Sequence, residues 1–147
     1  MTGINMGRVL IGGVVAGLVI NVGEFVLNMF VLKTEMEAAL ARMNLPPVEG
    51  AQIGVFVTLA FVLGIATVWL YAAIRPRFGA GASTAMCAGS TVWFLAYVYP
   101  SLGMWVMGMF PTGSMTIALA WGLAEVLAGA VAGGWLYQEQ GSAHARV

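Results

Sequence analysis

Charged residues are scarce in this sequence. Only 8% of its 147 residues are charged, whereas 61% are hydrophobic, and the mean hydropathy is +0.91. A soluble domain carries about 25% charged residues, and a soluble chain of this length has too much surface to hide so much apolar area. The composition therefore excludes an ordinary soluble domain. It predicts a single integral membrane domain over residues 1–147, with the lipid bilayer as its surroundings.

Cysteine and histidine each occur once. Cys87 alone excludes an internal disulfide and a multi-cysteine metal cluster. His144 lies in the C-terminal tail, which argues against a haem or chlorophyll held by buried histidines. Six acidic and six basic residues balance, so no basic field exists to hold nucleic acid. We therefore expect neither a cofactor nor a nucleic-acid partner.

Catalytic motifs are missing as well. The sequence contains no phosphate-binding glycine loop and no H-E-x-x-H zinc motif. It also lacks the G-x-S-x-G motif of serine nucleophiles. No catalytic residue is assigned, and an intramembrane enzyme is only a remote alternative.

Four apolar segments are long enough to cross a bilayer, which takes about 20 helical residues. They predict an all-α, four-helix transmembrane bundle. The predicted helices span residues 7–32, 51–74, 80–99 and 114–137. Charges and alanines after Leu32 predict that the first helix continues into water until Pro46 and Pro47 stop it. Pro100 should end or kink the third helix, and residues 101–113 should form a short segment that lies in the outer membrane interface or dips into it.

Basic residues fall mainly on one side of the predicted bundle. Lysine and arginine in short loops tend to stay in the cytoplasm. One side carries Arg8, Arg75, Arg77 and Arg146, whereas the other side carries only Lys33 and Arg42. This asymmetry predicts a multi-pass protein of the cell membrane with both termini in the cytoplasm.

The first helix has a face of small and polar residues. At about 100° per residue, its members fall within about 80° of one another. They are Gly13, Gly17, Asn21, Glu24 and Asn28. The glycines form a G-x-x-x-G pair, which favours close helix packing. The polar side chains should avoid lipid, and two readings stay open for them: a functional polar pocket inside the bundle, or a hydrogen-bonded structural seam.

The fourth helix carries one carboxyl group, Glu125, near the middle of its length. Gly122, Gly129 and Gly133 predict tight packing of this helix, so Glu125 should point into the protein. No lysine or arginine lies at a comparable depth, so we expect the group to hold a proton rather than a charge. It is either a protonatable functional site or a structural glutamate bonded to a neighbouring carbonyl or hydroxyl group.

Small polar side chains also share a face of the third helix. Ser83, Cys87, Ser90 and Thr91 fall within about 100° of one another. Such a face suits either helix packing or the lining of a polar cavity. As a cavity lining, its hydroxyl groups would be hydrogen-bond partners for Glu24 and Glu125.

Three methionines, Met104, Met107 and Met109, cluster after Pro100. Thioethers are soft ligands that suit Cu(I), but methionine is also a common filler of apolar gaps. Handling of Cu(I) by these residues is therefore a remote alternative.

The preferred interpretation is a non-enzymatic accessory subunit of another membrane protein, or a homo-oligomer, because glycine-lined faces favour helix contacts. The alternative is a transporter of protons, cations or small solutes that uses Glu24 and Glu125. A small-molecule ligand is compatible with either function. In size and helix count the chain resembles the small multidrug resistance exporters, which also use a glutamate of their first helix. The residues around Glu24 differ from that family's motif, so membership is not assigned.

Overall fold

The computed structural model describes residues 3–138, and those residues form helices and connections without any strand. The predicted positions of His144 and Arg146 lie outside this range. The helices in chain order are α1 (Met6–Val26, followed by a π-helical turn, Leu27–Val31), α2 (Lys33–Arg42), α3 (Ala51–Phe78), α4 (Ala82–Trp93, followed by a second π-helical turn, Phe94–Val98), α5 (Tyr99–Val106) and α6 (Thr112–Leu136).

Three helical segments are long and apolar enough to cross a membrane. They are Met6–Val31, Ala51–Phe78 and Thr112–Leu136, with mean hydropathies of 2.1, 2.4 and 1.7 over their most apolar stretches. The segment formed by α4, its π-helical turn and α5 is not one of them. The apolar helices are compatible with a membrane protein. Three such segments do not by themselves establish the predicted bundle of four transmembrane helices.

The long helical segments pack in a ring. α1 contacts α3 on one side and α6 on the other, and α4 closes the ring by contacting both α3 and α6. Two ends can be distinguished. The turn end carries the tight connection between α3 and α4 at residues 79–81, and the loop end carries α2 and the connections at residues 43–50 and 107–111.

Glycines let α1 and α3 approach each other backbone to backbone. A Cβ atom built on Gly13 would lie 2.5 Å from Cα of Ile65, and one built on Gly17 would lie 2.7 Å from Cα of Phe61. From the other side, a Cβ atom on Gly64 would collide with the backbone of Gly17. Since real Cβ atoms do not approach backbone so closely, this helix spacing requires glycine at all three positions.

Glycines also bring α1 and α6 into close contact. A Cβ atom on Gly133 would lie 2.5 Å from the carbonyl oxygen of Gly12, and one on Gly129 would lie 3.0 Å from that of Ala16. Both G-x-x-x-G pairs predicted to favour association are therefore occupied by neighbouring helices of the same chain. The glycine faces that motivated an accessory or oligomeric role are internal contacts.

The turn end is the closed half of the ring. Its buried core contains Val9, Ala16, Val68, Tyr71, Ala72, Ala85, Ala88 and Tyr137. Two tyrosine hydroxyls accept hydrogen bonds from backbone N–H groups there: Tyr137 from Asn5 and Tyr71 from Gly81, both at 3.3 Å. The guanidinium carbon of Arg75 lies 5.5 Å from the centre of the Tyr137 ring, a cation–π distance.

The loop end is the open half. α5 has no buried residue, and residues 51–59 of α3 are all exposed on the isolated chain. Both α5 and residues 51–59 carry apolar side chains that must be covered by lipid or by protein. Packing is thus asymmetric along the axis of the ring.

The third predicted helix does not end at Pro100. The helical path continues through it to Val106, and the placement of residues 101–113 in the membrane interface stays a prediction. Proline lacks an N–H donor, and its ring clashes with the carbonyl group four residues earlier. The π-helical turn directly before it, closed by a hydrogen bond from the Tyr99 N–H to the Phe94 carbonyl, widens the helix and places Pro100 in the first turn of α5, where proline is tolerated.

Two other predicted boundaries also shift. The first helix does not run continuously into the charged segment, because the backbone breaks at Leu32 before α2 begins. The second helix does not stop before Arg75. It includes Pro76 and ends at Phe78. Pro76 gives up one helical hydrogen bond, and the helix ends two residues later.

Replacement of Gly64 by alanine should destabilise the protein. Gly54 lies on the same helix with no atom within 4 Å of its built Cβ, and it is the matched control. We expect Gly64→Ala to lower the free energy of unfolding by about 1–3 kcal/mol through overpacking. Gly54→Ala should leave it unchanged or raise it by up to about 1 kcal/mol, since alanine favours helix. Unfolding in detergent followed by circular dichroism measures both, and equal stabilities would contradict the close contact.

Candidate carboxyl–tyrosine site

Two carboxyl groups from different helices meet at one tyrosine hydroxyl. The Tyr97 hydroxyl oxygen lies 3.2 Å from Oε1 of Glu24 on α1 and 2.9 Å from Oε1 of Glu125 on α6. Glu125 is only 6% exposed, and Glu24 and Tyr97 are half-buried. These three residues, the carboxyl–tyrosine cluster, lie inside the ring between its closed and open halves.

The hydrogen atoms of the cluster can be counted. A tyrosine hydroxyl has one hydrogen to donate and lone pairs to accept with. It can therefore donate to one carboxyl oxygen only. For the second contact to be a hydrogen bond as well, the other carboxyl group must donate, and it must then be a protonated acid. The geometry is that of two carboxyl groups that share one proton through a tyrosine.

Asn28 holds Glu24 in place. Its side-chain amide donates to Oε2 of Glu24 at 2.9 Å and to the Glu24 backbone carbonyl at 2.8 Å. Asn28 belongs to the π-helical turn that follows α1. The side chains of Glu24 and Asn28 therefore form one hydrogen-bonded unit, as the polar face of the first helix suggested.

Two glycines make room for the cluster. A side chain at Gly23 would collide with the carboxyl group of Glu125, and a Cβ atom at Gly122 would lie 2.6 Å from the ring of Tyr97. Trp121 donates from its indole N–H to the Gly23 carbonyl at 3.0 Å, which ties α6 to α1 at this level. Gly122, predicted as a packing glycine, packs against the Tyr97 ring rather than against another backbone.

One carboxyl oxygen of the cluster lacks a hydrogen-bond partner in the part of the chain that the structure describes. Oε2 of Glu125 is buried and makes no hydrogen bond among the described residues. An unsatisfied buried acceptor costs about 1–3 kcal/mol, and more when it is charged. A proton or a small cation on this oxygen would remove that cost.

The π-helical turn after α4 explains why Tyr97 faces inward. Val92 and Trp93 are half-buried, Leu95 and Ala96 are exposed, and the next half-buried pair begins at Tyr97. The inner face therefore advances by about five residues instead of the three or four of an α-helix, as expected for i→i+5 hydrogen bonding. At 100° per residue Tyr97 would share a face with Ser90, which is exposed, and the π-helical turn brings it to the carboxyl groups instead.

The polar face predicted on the third helix points away from the cluster. Ser83, Cys87, Ser90 and Thr91 are all exposed. The Thr91 hydroxyl donates to the carbonyl of Cys87 at 2.9 Å, within its own helix. The expectation that these side chains bind Glu24 and Glu125 is therefore wrong, since the inner face of α4 consists of other residues.

Asn21 also lies outside the cluster. Its amide donates to the carbonyl groups of Gly17 at 2.9 Å and of Val57 at 3.3 Å. Asn21 therefore links α1 to α3. Of the three polar residues on the first helix, Asn21 is structural, whereas Glu24 and Asn28 belong to the site.

Met104, Met107 and Met109 have different surroundings. Met107 is 76% exposed, whereas Met104 lines a cavity of about 160 Å³ at the loop end, which neither Met107 nor Met109 lines. Among the described residues no group of three His, Cys, Asp or Glu side chains could hold a metal ion. Binding of Cu(I) by Met104, Met107 and Met109 stays a prediction.

The Tyr97 hydroxyl should stabilise the fold. Tyr97→Phe leaves both carboxyl groups without it and should lower the free energy of unfolding by about 1–3 kcal/mol. Tyr99, two positions on and 70% exposed, is the control, and Tyr99→Phe should change stability little. Thermal unfolding in detergent compares the two variants, and equal shifts would show that the Tyr97 hydroxyl makes no significant bond.

Comparison of the chain with protein-family models found none that matches, and comparison with curated proteins and with solved structures found no match either.

Proposed function

We propose that the protein is a four-helix transmembrane carrier that exchanges a proton for a monovalent cation at the carboxyl–tyrosine cluster. The observation that carries this proposal is the contact of one tyrosine hydroxyl with carboxyl groups from two helices, beside a buried oxygen that has no hydrogen-bond partner among the described residues. Intramembrane carboxyl groups commonly mark ion pathways and proton relays.

The fourth span would be the segment at residues 82–106. At about 1.5 Å per residue this segment is long enough for a hydrocarbon core of about 30 Å. It packs between two of the apolar helices and antiparallel to both. Arg8, Arg75 and Arg77 lie at the turn end, and only Lys33 and Arg42 lie at the loop end, which favours a cytoplasmic turn end and cytoplasmic termini.

The exchange step conserves charge. With one proton and a single negative charge, the cluster resembles a carboxylic acid beside a carboxylate. A monovalent cation that binds between the carboxyl oxygens replaces the proton, which leaves as the O–H bond of the acid breaks. The side-chain hydrogen bonds to Glu24 and Glu125 come from Asn28 and Tyr97, and no lysine or arginine within residues 3–138 donates one, so a proton or a bound cation is the counter-charge that the site can accept.

The asymmetric packing supports access from one side. The cavity at the loop end is lined by Ser101 and Ala118 among others, and these residues lie one to two helical turns beyond Tyr97 and Glu125. Toward the turn end the glycine contacts and the tyrosine-capped core close the ring. A cation would therefore enter from the loop end.

Both π-helical turns lie at the level of the cluster. One begins at Leu27, a few residues after Glu24, and the other contains Tyr97. π-Helical residues make up well under 1% of proteins and often occur at functional sites. Two of them beside one pair of carboxyl groups favour a functional role over a purely structural one.

Reconstitution tests the exchange directly. Purified protein in liposomes with a trapped pH indicator is given an inward gradient of sodium, potassium or tetramethylammonium. At least one of these probes should raise the internal pH, because a proton leaves for each cation that enters. Glu125→Gln and Glu24→Gln should abolish the signal, since an amide cannot release that proton. Glu37→Gln, on exposed α2, is the control and should transport normally.

Liposomes that give no pH change with any of the three probes would overturn the exchange. A signal that persists in both glutamine variants would overturn the assignment of the cluster.

A second candidate function is the accessory subunit. The observation in its favour is the outward face of α4, where Ser83, Cys87 and Ser90 leave a smooth, small-residue surface exposed. Absence of transport in the liposomes, together with a second polypeptide that co-purifies from native membrane, would favour this role over exchange.

A further inference from the structure

Methionines from three helices line the cavity at the loop end. Met36 comes from α2, Met104 from α5 and Met115 from α6, and all three border the same cavity of about 160 Å³. We propose that this cavity binds a soft monovalent metal ion, Cu(I) or Ag(I), through the thioether sulfurs of these three residues. The site is separate from the carboxyl–tyrosine cluster and does not depend on the exchange proposed for it.

The distribution of methionine argues against simple gap filling. A gap-filling methionine belongs in the tightly packed interior, yet the buried hydrophobic residues of the described chain include no methionine. Met36, Met104 and Met115 are instead half-buried, and all three border the cavity. Met36 is far from the other two in the sequence and is brought to them by the fold.

The other lining residues suit a cation that prefers sulfur. Glu35 lines the cavity and supplies a negative charge, and no lining residue is basic. Ser101 and Ser114 are the other polar side chains of the wall. A hard cation such as Mg²⁺ or Ca²⁺ takes six or more oxygen ligands, whereas thioether ligands select Cu(I). The wall therefore favours a soft ion over a hard one.

Silver(I) is the probe, because it shares the ligand preference of Cu(I) and is stable in air. All proteins carry Cys87→Ala, since a thiolate would bind silver by itself. In chloride-free buffer with detergent, isothermal titration calorimetry should show one silver ion per chain. Loss of even an outer-shell partner of a metal ligand costs about 10–100-fold in affinity, so Met36→Leu, Met104→Leu and Met115→Leu should each weaken binding by about tenfold or more.

Leucine has nearly the volume of methionine, so these changes should preserve packing, and thermal unfolding of each variant checks this. Met107→Leu is the matched control, because Met107 lies at the same end but outside the cavity, and it should bind silver normally. The site is overturned if the Cys87→Ala protein binds no silver, or if Met107→Leu weakens binding as much as Met104→Leu. It is also overturned if Glu125→Gln abolishes binding, since silver would then occupy the carboxyl–tyrosine cluster.

Discussion

The spacing between α1 and its two neighbours is the constraint on which the site depends. At Gly13, Gly17 and Gly64 on the α3 side, and at Gly12 and Gly133 on the α6 side, a side chain would meet backbone. Because α1 is held this close to α6, Glu125 comes to rest against Gly23, and one tyrosine can contact both carboxyl groups. A wider spacing would separate the two helices and with them the two acids. The glycines are thus part of the site as much as of the fold.

The two π-helical turns supply the rest of the geometry. Each adds a residue to a turn, and each is at the level where the ring changes from closed to open. The first contains Asn28, which donates to Glu24, and the second turns Tyr97 inward and lets the helix continue through Pro100. Such turns lose the regular hydrogen bonding of an α-helix. Both lie close to the buried pair of acids, so the irregular backbone and the chemistry of the site occur together.

Part of this arrangement follows from α-helical spacing alone. The glycine faces and the inward direction of Glu24 and Glu125 could be predicted, because α1 and α6 keep regular α-helical periodicity over those stretches. The partner of the two acids could not, because an α-helical projection of the third helix places Tyr97 on the face of Ser90, which is exposed. The cavity at the loop end could not be predicted either, since Met36 comes to line it beside Met104 and Met115 only through tertiary packing. The faces of regular helices can be predicted from sequence, whereas π-helical turns and contacts between distant segments cannot.

A proton held between Glu24 and Glu125 is the feature on which the proposed exchange depends, and infrared spectroscopy observes it directly. At neutral pH the protein in detergent should show the C=O stretch of a protonated carboxylic acid. This band should disappear in the Glu24→Gln/Glu125→Gln double variant and persist in Glu37→Gln. A spectrum in which every carboxyl group is ionised at neutral and at mildly acidic pH would contradict the shared proton.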